Sequence, residues 1–71
     1  MRNMYVVSCG DWSSVIKVEN LEDLKPVIMK EINKVPERNI QLSFFIFVRE
    51  FGEKEKNNEL YCLASEVLVP R

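Results

Sequence analysis

The segment that most constrains the fold of this chain is the apolar run from Ile40 to Val48. Side chains of a β-strand point to opposite faces in turn, so a strand with apolar residues at consecutive positions must be shielded on both faces. One face of this run holds Ile40, Leu42, Phe44, Ile46 and Val48, and the other holds Phe45 and Phe47, with Phe51 following. The pattern predicts a strand from Ile40 to Glu50 that is covered on both sides.

The rest of the chain offers too little structure to cover both faces. Its 71 residues predict one small domain over residues 1–71, and a domain of this size buries only about 60% of its unfolded surface. Since a single helix is predicted, that helix shields one face of the sheet and leaves the other as a candidate binding surface.

Two strands are predicted before this segment. The aromatic and β-branched stretches from Met4 to Cys9 and from Ser13 to Glu19 flank Gly10-Asp11, a dipeptide typical of a tight turn. In the second strand, Ile16 and Val18 alternate toward the core.

A helix is predicted after this hairpin, because apolar residues recur there at helical spacing. Pro26 fits only the first turn of a helix, where its missing N–H is not needed. We therefore expect a short turn at Leu21 to Leu24, then a helix to about Lys34 that Pro36 ends. The residues predicted to face the sheet are Leu24, Ile28 and Ile32.

A last strand is predicted from Glu59 to Val69, after a charged loop from Gly52 to Asn58. Its two apolar faces hold Leu60, Cys62 and Ala64 on one side, and Tyr61, Leu63, Val67 and Val69 on the other. A right-handed crossover through the helix brings the third strand beside the first. The predicted fold is a two-layer α+β domain, ββαββ, whose four-stranded antiparallel sheet has the order 2-1-3-4 and one helix on one face.

The composition argues against most kinds of catalytic and metal-binding site. The chain has no histidine, which is the commonest general base and metal ligand. The acidic residues lack the spacing of a calcium-binding loop, and Gly10 and Gly52, the two glycines, form no phosphate-binding loop. We therefore predict no catalytic, cofactor or metal site, and a protein that is not an enzyme.

Charge and hydrophobicity limit which partners and which cellular location are expected for this chain. Ten Lys and Arg residues are interleaved with eleven Asp and Glu residues, for a net charge of -1. Nucleic-acid binding draws on clustered positive charge, so this balance disfavours it. No apolar run approaches the ~20 residues that span a bilayer, and the first residues lack the apolar stretch of a signal peptide. We expect a cytoplasmic protein with no membrane partner.

The two cysteines, Cys9 and Cys62, both fall among apolar neighbours in predicted strands. They are interpreted either as two small core residues in a reducing compartment or as a disulfide that joins the two hairpins. A disulfide requires Cα atoms within about 7 Å of each other.

One short motif has a functional association. Phe45-Ile46-Phe47-Val48 resembles the centre of the RNP1 motif of RNA-recognition domains, whose alternating aromatic residues stack on bases. The resemblance implies a stacking platform for single-stranded nucleic acid at Phe45 and Phe47. The basic residue and glycine that open the motif are absent, because Gln41-Leu42-Ser43-Phe44 stands there, and no segment supplies the second helix of that fold.

A second resemblance concerns the N-terminal part of the chain. Tyr5-Val6-Val7-Ser8-Cys9-Gly10-Asp11, followed by a short strand and an acidic helix start, resembles the beginning of small uncharacterised phage-encoded proteins. It carries no catalytic motif and implies a small accessory protein.

The helix-free face of the sheet is the predicted functional surface. Its candidate residues are Phe45, Phe47, Tyr61, Leu63 and Phe51. A large exposed apolar patch marks an association surface, and the predicted partner is a second copy of the chain, giving a homodimer. The alternatives are another protein, such as a host protein bound by a phage-type protein, and single-stranded nucleic acid.

Overall fold

The structure is a computed structural model that describes residues 3–69. Four strands form one antiparallel sheet in the order β2-β1-β3-β4, which confirms the predicted α+β ββαββ fold and its strand order. The elements in chain order are β1 (Asn3–Cys9), β2 (Trp12–Val18), a 3-10 turn (Leu21–Asp23), α1 (Leu24–Ile32), β3 (Phe45–Glu50), a 3-10 turn (Glu55–Asn57), β4 (Glu59–Leu63) and a 3-10 turn (Ala64–Glu66).

The first hairpin forms where the sequence predicts it. β1 and β2 pair along their whole length and close at the pair Cys9 and Trp12, which leaves only Gly10 and Asp11 in the loop. Gly10 has φ +58°, and glycine is the only residue type with a positive φ in the described chain. A two-residue hairpin turn with a positive φ at its first central position favours glycine there. The hairpin therefore depends on this one glycine.

The helix also begins as predicted. A 3-10 turn precedes α1, and Pro26 is the third residue of α1, where no backbone hydrogen bond is lost. Leu24, Ile28 and Ile32 lie on the buried face of α1 and are at most 1% exposed. They pack in the core with Ile16 and Ile46 of the sheet and with other buried residues: Val7, Cys9, Val18, Ala64, Val67 and Leu68.

The predicted strand from Ile40 to Glu50 is too long at its start. β3 begins at Phe45, and residues 40–44 form a loop with a turn in which the Phe44 N–H donates to the Gln41 carbonyl at 3.0 Å. The reason is the lack of a partner strand: Ser8 pairs with Phe47, so β1 reaches its turn opposite the first residues of β3. Leu42, predicted to be buried, is 51% exposed.

The last predicted strand is too long at its end. β4 stops at Leu63, because the chain then turns at Ala64–Glu66 and folds back under α1. Val67 and Leu68 are buried there, although Val67 was predicted to lie on the helix-free face. The side chain of Asn33 fixes this segment by donating to the Val67 carbonyl at 2.7 Å and accepting from the Val69 N–H at 3.0 Å.

Candidate functional site

One face of the sheet is not covered by α1 or by the C-terminal segment. Side chains alternate along each strand, and the residues opposite to the core positions point away from α1. We call the apolar residues of this surface the open face: they are Val6, Val15, Phe45, Phe47, Leu60 and Leu63.

The open face leaves large side chains in water. Phe45 is 51% exposed, Phe47 36%, Leu63 38% and Leu60 59%. The rings of Phe45 and Phe47 lie with their centroids 6.4 Å apart and their planes tilted by 58°. Phe45 pairs across the strands with Leu63, so one apolar patch extends over β3 and β4.

A bulge in β4 changes two of the predicted positions. Ile46 pairs with Cys62, but Phe47 pairs with Leu60, so Tyr61 is an extra residue between two regular pairs. The prediction placed Leu60 on the helix side, and the pairing with Phe47 instead places it on the open face. Tyr61 was predicted to lie on the helix-free face, but it lines a hollow on the helix side together with Leu21 and Leu24; Leu60 also borders this hollow.

Phe51 lies at the end of the open face. It follows β3, and its N–H donates to the Met4 carbonyl at 2.9 Å, so the pairing with β1 extends by one residue. Its side chain is 57% exposed and continues the alternation of Phe45 and Phe47. Three of the five predicted site residues, Phe45, Phe47 and Leu63, therefore form the patch, Phe51 extends it, and Tyr61 lies apart from it.

The one basic residue of β3, Arg49 near the end of the strand, is directed toward the second hairpin loop. Arg49 donates to the Glu53 carbonyl and to Oδ1 of Asn58, both at 3.1 Å. Since both acceptors are neutral oxygens in the loop between β3 and β4, the guanidinium stays beside this loop, and the patch around Phe45 and Phe47 remains apolar.

An ion pair on the helix side joins α1 to the C-terminal turn. Nζ of Lys25 lies 2.7 Å from Oε1 of Glu66, and Oε2 of Glu66 accepts from the Leu63 N–H at 3.1 Å. The hydrogen bond from Lys25 lowers the pKa of Glu66, and the same bond raises the pKa of Lys25. Tyr61 lies within electrostatic range of this pair, and burial is the main cause that raises the pKa of its hydroxyl.

The two cysteines are free thiols. Both lie on the helix side. Cys62 pairs with Ile46 from β4, and Cys9 faces Ile46 from β1, because the preceding pair joins Ser8 to Phe47. The two cysteines are therefore separated by the strand that holds Ile46. Two strand spacings amount to about 10 Å, which is too far for a disulfide without backbone movement. Burial is the main cause that raises the pKa of both thiols, which lowers the fraction of each that is thiolate near neutral pH.

Within residues 3–69, no three side chains of His, Cys, Asp or Glu come together in a way that could hold a metal ion. No helix in that part of the chain has the length and hydrophobicity needed to cross a membrane. Comparisons of the chain with protein-family models, with curated proteins and with solved structures find no match.

Proposed function

We propose that this protein is a non-enzymatic interaction module that forms a homodimer through the open face. The observation that carries the proposal is the exposure of Phe45 and Phe47 on a sheet face that α1 does not cover. Taking about 200 Å² for a fully exposed ring, these two side chains alone leave about 170 Å² in contact with water. Leu60 and Leu63, at 59% and 38% exposed, extend this area to about 350 Å², the size of the largest apolar patch on a typical monomer, which is often functional.

The geometry of the face suits a second copy of the same surface. Two sheets that pack face to face lie about 10 Å apart, with side chains from the two inner faces interdigitating. Around a two-fold axis, Phe45 and Phe47 of one copy would enter the spaces beside Leu60 and Leu63 of its partner. A two-fold interface is also the commonest form of oligomer, because one self-complementary patch is sufficient.

The size of the face sets the strength of the dimer. Four strands are about 19 Å across, and the paired segments are about 20 Å long, so the planar area of the face is about 400 Å² per copy. Stable interfaces bury about 800 Å² per partner, so this surface belongs at the weak end of the range. We expect a dimer that dissociates on dilution through the micromolar range.

The test is the double substitution Phe45→Glu and Phe47→Glu. Four carboxylates would then be placed in the centre of the dimer interface, so we expect a protein that stays monomeric at all concentrations while the wild type shows a rising mass. Sedimentation velocity over a dilution series measures this difference. Leu42→Glu is the matched control, because Leu42 is equally exposed at 51% but lies in the loop before β3.

Three results would contradict the homodimer. A wild type that remains monomeric at high micromolar concentration would leave the open face to another protein. A control variant that dissociates as readily as the double variant would place the interface elsewhere. Binding of a single-stranded oligonucleotide by the wild type, lost in the double variant, would assign Phe45 and Phe47 to base stacking instead.

A further inference from the structure

A half-open hollow of about 620 Å³ lies on the helix side of the sheet, at the end of the molecule where β3 meets the second hairpin loop. Six of its eleven lining residues are apolar or aromatic, and the other five are polar or charged. Leu24 is 1% exposed and closes the inner end, whereas Leu21 at the mouth is 60% exposed. The remainder of the apolar wall is formed by Tyr5, Val48, Leu60 and Tyr61. The volume lies within the range of sites that bind small organic groups, about 300–1,000 Å³.

The rim of this hollow carries three carboxylates: those of Glu50, Glu53 and Glu59. The one cation among the lining residues is Arg49, and its hydrogen bonds go to neutral oxygens, the Glu53 carbonyl and Asn58 Oδ1. The ion pairs found in residues 3–69 join other residues, so the three carboxylates have no cationic partner within 4.0 Å in this part of the chain. The three glutamates outnumber the one arginine, so the lining of the hollow carries net negative charge.

One of the three carboxylates is held in place. Asn57 donates from Nδ2 to Oε1 of Glu53 at 3.0 Å, and Asn57 itself lies in the 3-10 turn of the hairpin loop. This hydrogen bond restricts the Glu53 carboxylate before a ligand arrives, which lowers the entropic cost of binding.

We propose that the hollow binds the side chain of an arginine or lysine presented by a partner polypeptide. The aliphatic stem of such a side chain packs well on leucine and tyrosine, while its charged end remains at the surface to meet carboxylates. The tyrosine rings also favour a cation near their faces. A metal ion is a poor match, since the described acidic residues form no group that could hold one.

The half-open shape favours a polypeptide over a free small molecule. A ligand in a half-open hollow stays partly exposed to water, so a free small amine would gain less from burial than it would in an enclosed site. A side chain attached to a larger partner gains further contacts around the mouth of the hollow, where Leu21 is 60% exposed. Leu60 is the one open-face residue in the lining of the hollow, so substitutions of the rim carboxylates leave Phe45 and Phe47 of the open face unchanged.

The experiment titrates the ¹⁵N-labelled full-length protein with a blocked peptide, acetyl-Gly-Leu-Arg-Leu-Gly-amide. We expect saturable amide shifts at residues that line the hollow, and about tenfold weaker binding when the arginine is replaced by citrulline, which keeps the shape and removes the charge. The variant Glu50→Gln with Glu59→Gln should weaken the arginine peptide by about tenfold as well, since two of three carboxylates are lost. Glu55→Gln is the matched control, because Glu55 is an exposed carboxylate outside the lining of the hollow.

Two results would overturn the proposal: equal binding of the arginine and citrulline peptides, or shifts that do not saturate at the hollow. Free arginine amide is the third probe. If it binds as tightly as the peptide, the site belongs to a small cation and not to a polypeptide. Because these measurements do not depend on association state, a failed dimer test leaves their outcome unaffected.

Discussion

Replacing Gly10 by alanine tests where the loop before β3 lies. Gly10 has φ +58°, and an added Cβ would lie 2.9 Å from Cε2 and 3.1 Å from Cδ2 of Phe44. The backbone conformation costs a non-glycine residue about 1–3 kcal/mol. Overpacking against the ring adds about 1–3 kcal/mol, because Phe44 is itself packed against the core. We therefore expect Gly10→Ala to lower the free energy of unfolding by about 2–6 kcal/mol, a large part of the 5–15 kcal/mol typical of a domain.

The part of this cost that comes from Phe44 is separated by a double-mutant cycle. In the Phe44→Ala background no ring opposes the new methyl group, so Gly10→Ala should cost only its backbone part. The coupling free energy should then be about 1–3 kcal/mol, measured by urea denaturation of all four proteins at one fixed concentration. A coupling near zero would refute the contact, and with it the position of residues 40–44 over the first turn.

Two further predictions concern the core. Ile28→Ala should lower the free energy of unfolding by about 2–5 kcal/mol, because Ile28 is fully buried. Met29→Ala is the control: Met29 is 39% exposed, so its loss should cost under about 1 kcal/mol. Equal costs for the two variants would mean that the buried face of α1 is misassigned. Cys9 should resist alkylation in the native state and react on unfolding, since burial raises the pKa of its thiol above the ordinary 9.0. Because the folded state favours the neutral thiol, the stability that this thiol contributes is complete below pH 9.0 and is lost as the pH rises through the raised pKa. Rapid native labelling of Cys9, or stability that increases above pH 9.0, would contradict this.

The features that the sequence predicts correctly are those with a local cause. Pro26 can occupy only the first turn of a helix, so it locates the start of α1 within a residue or two. Gly10-Asp11 fixes a two-residue hairpin turn, which in turn fixes the pairing of β1 with β2. The strand order is the one predicted from a right-handed crossover between β2 and β3, a prediction that used only the order of the elements.

The ends of β3 and β4 have no such local cause. Residues 40–44 have the alternation of a strand, but a strand also needs a neighbour that supplies hydrogen bonds, and β1 has already reached its turn at Gly10. The Phe44 and Leu42 carbonyls accept instead from the N–H groups of Ala64 and Ser65, at 2.8 and 3.1 Å. These partners lie about twenty residues away, so only the assembled sheet decides where each strand stops.

The bulge at Tyr61 is the feature with the largest effect on function that alternation misses. Strict alternation over β4 would place Leu60 with Cys62 on the helix side, against Ile46 and the core. With one extra residue, Leu60 opposes Phe47 on the open face, and Tyr61 is released to line the hollow near Lys25. A single unpaired residue on an edge strand thus adds an apolar side chain to the proposed dimer surface and an aromatic wall to the proposed cation site. Because a bulge replaces regular pairs only locally, its position depends on how β3 and β4 fit together, and the composition of β4 alone does not determine it.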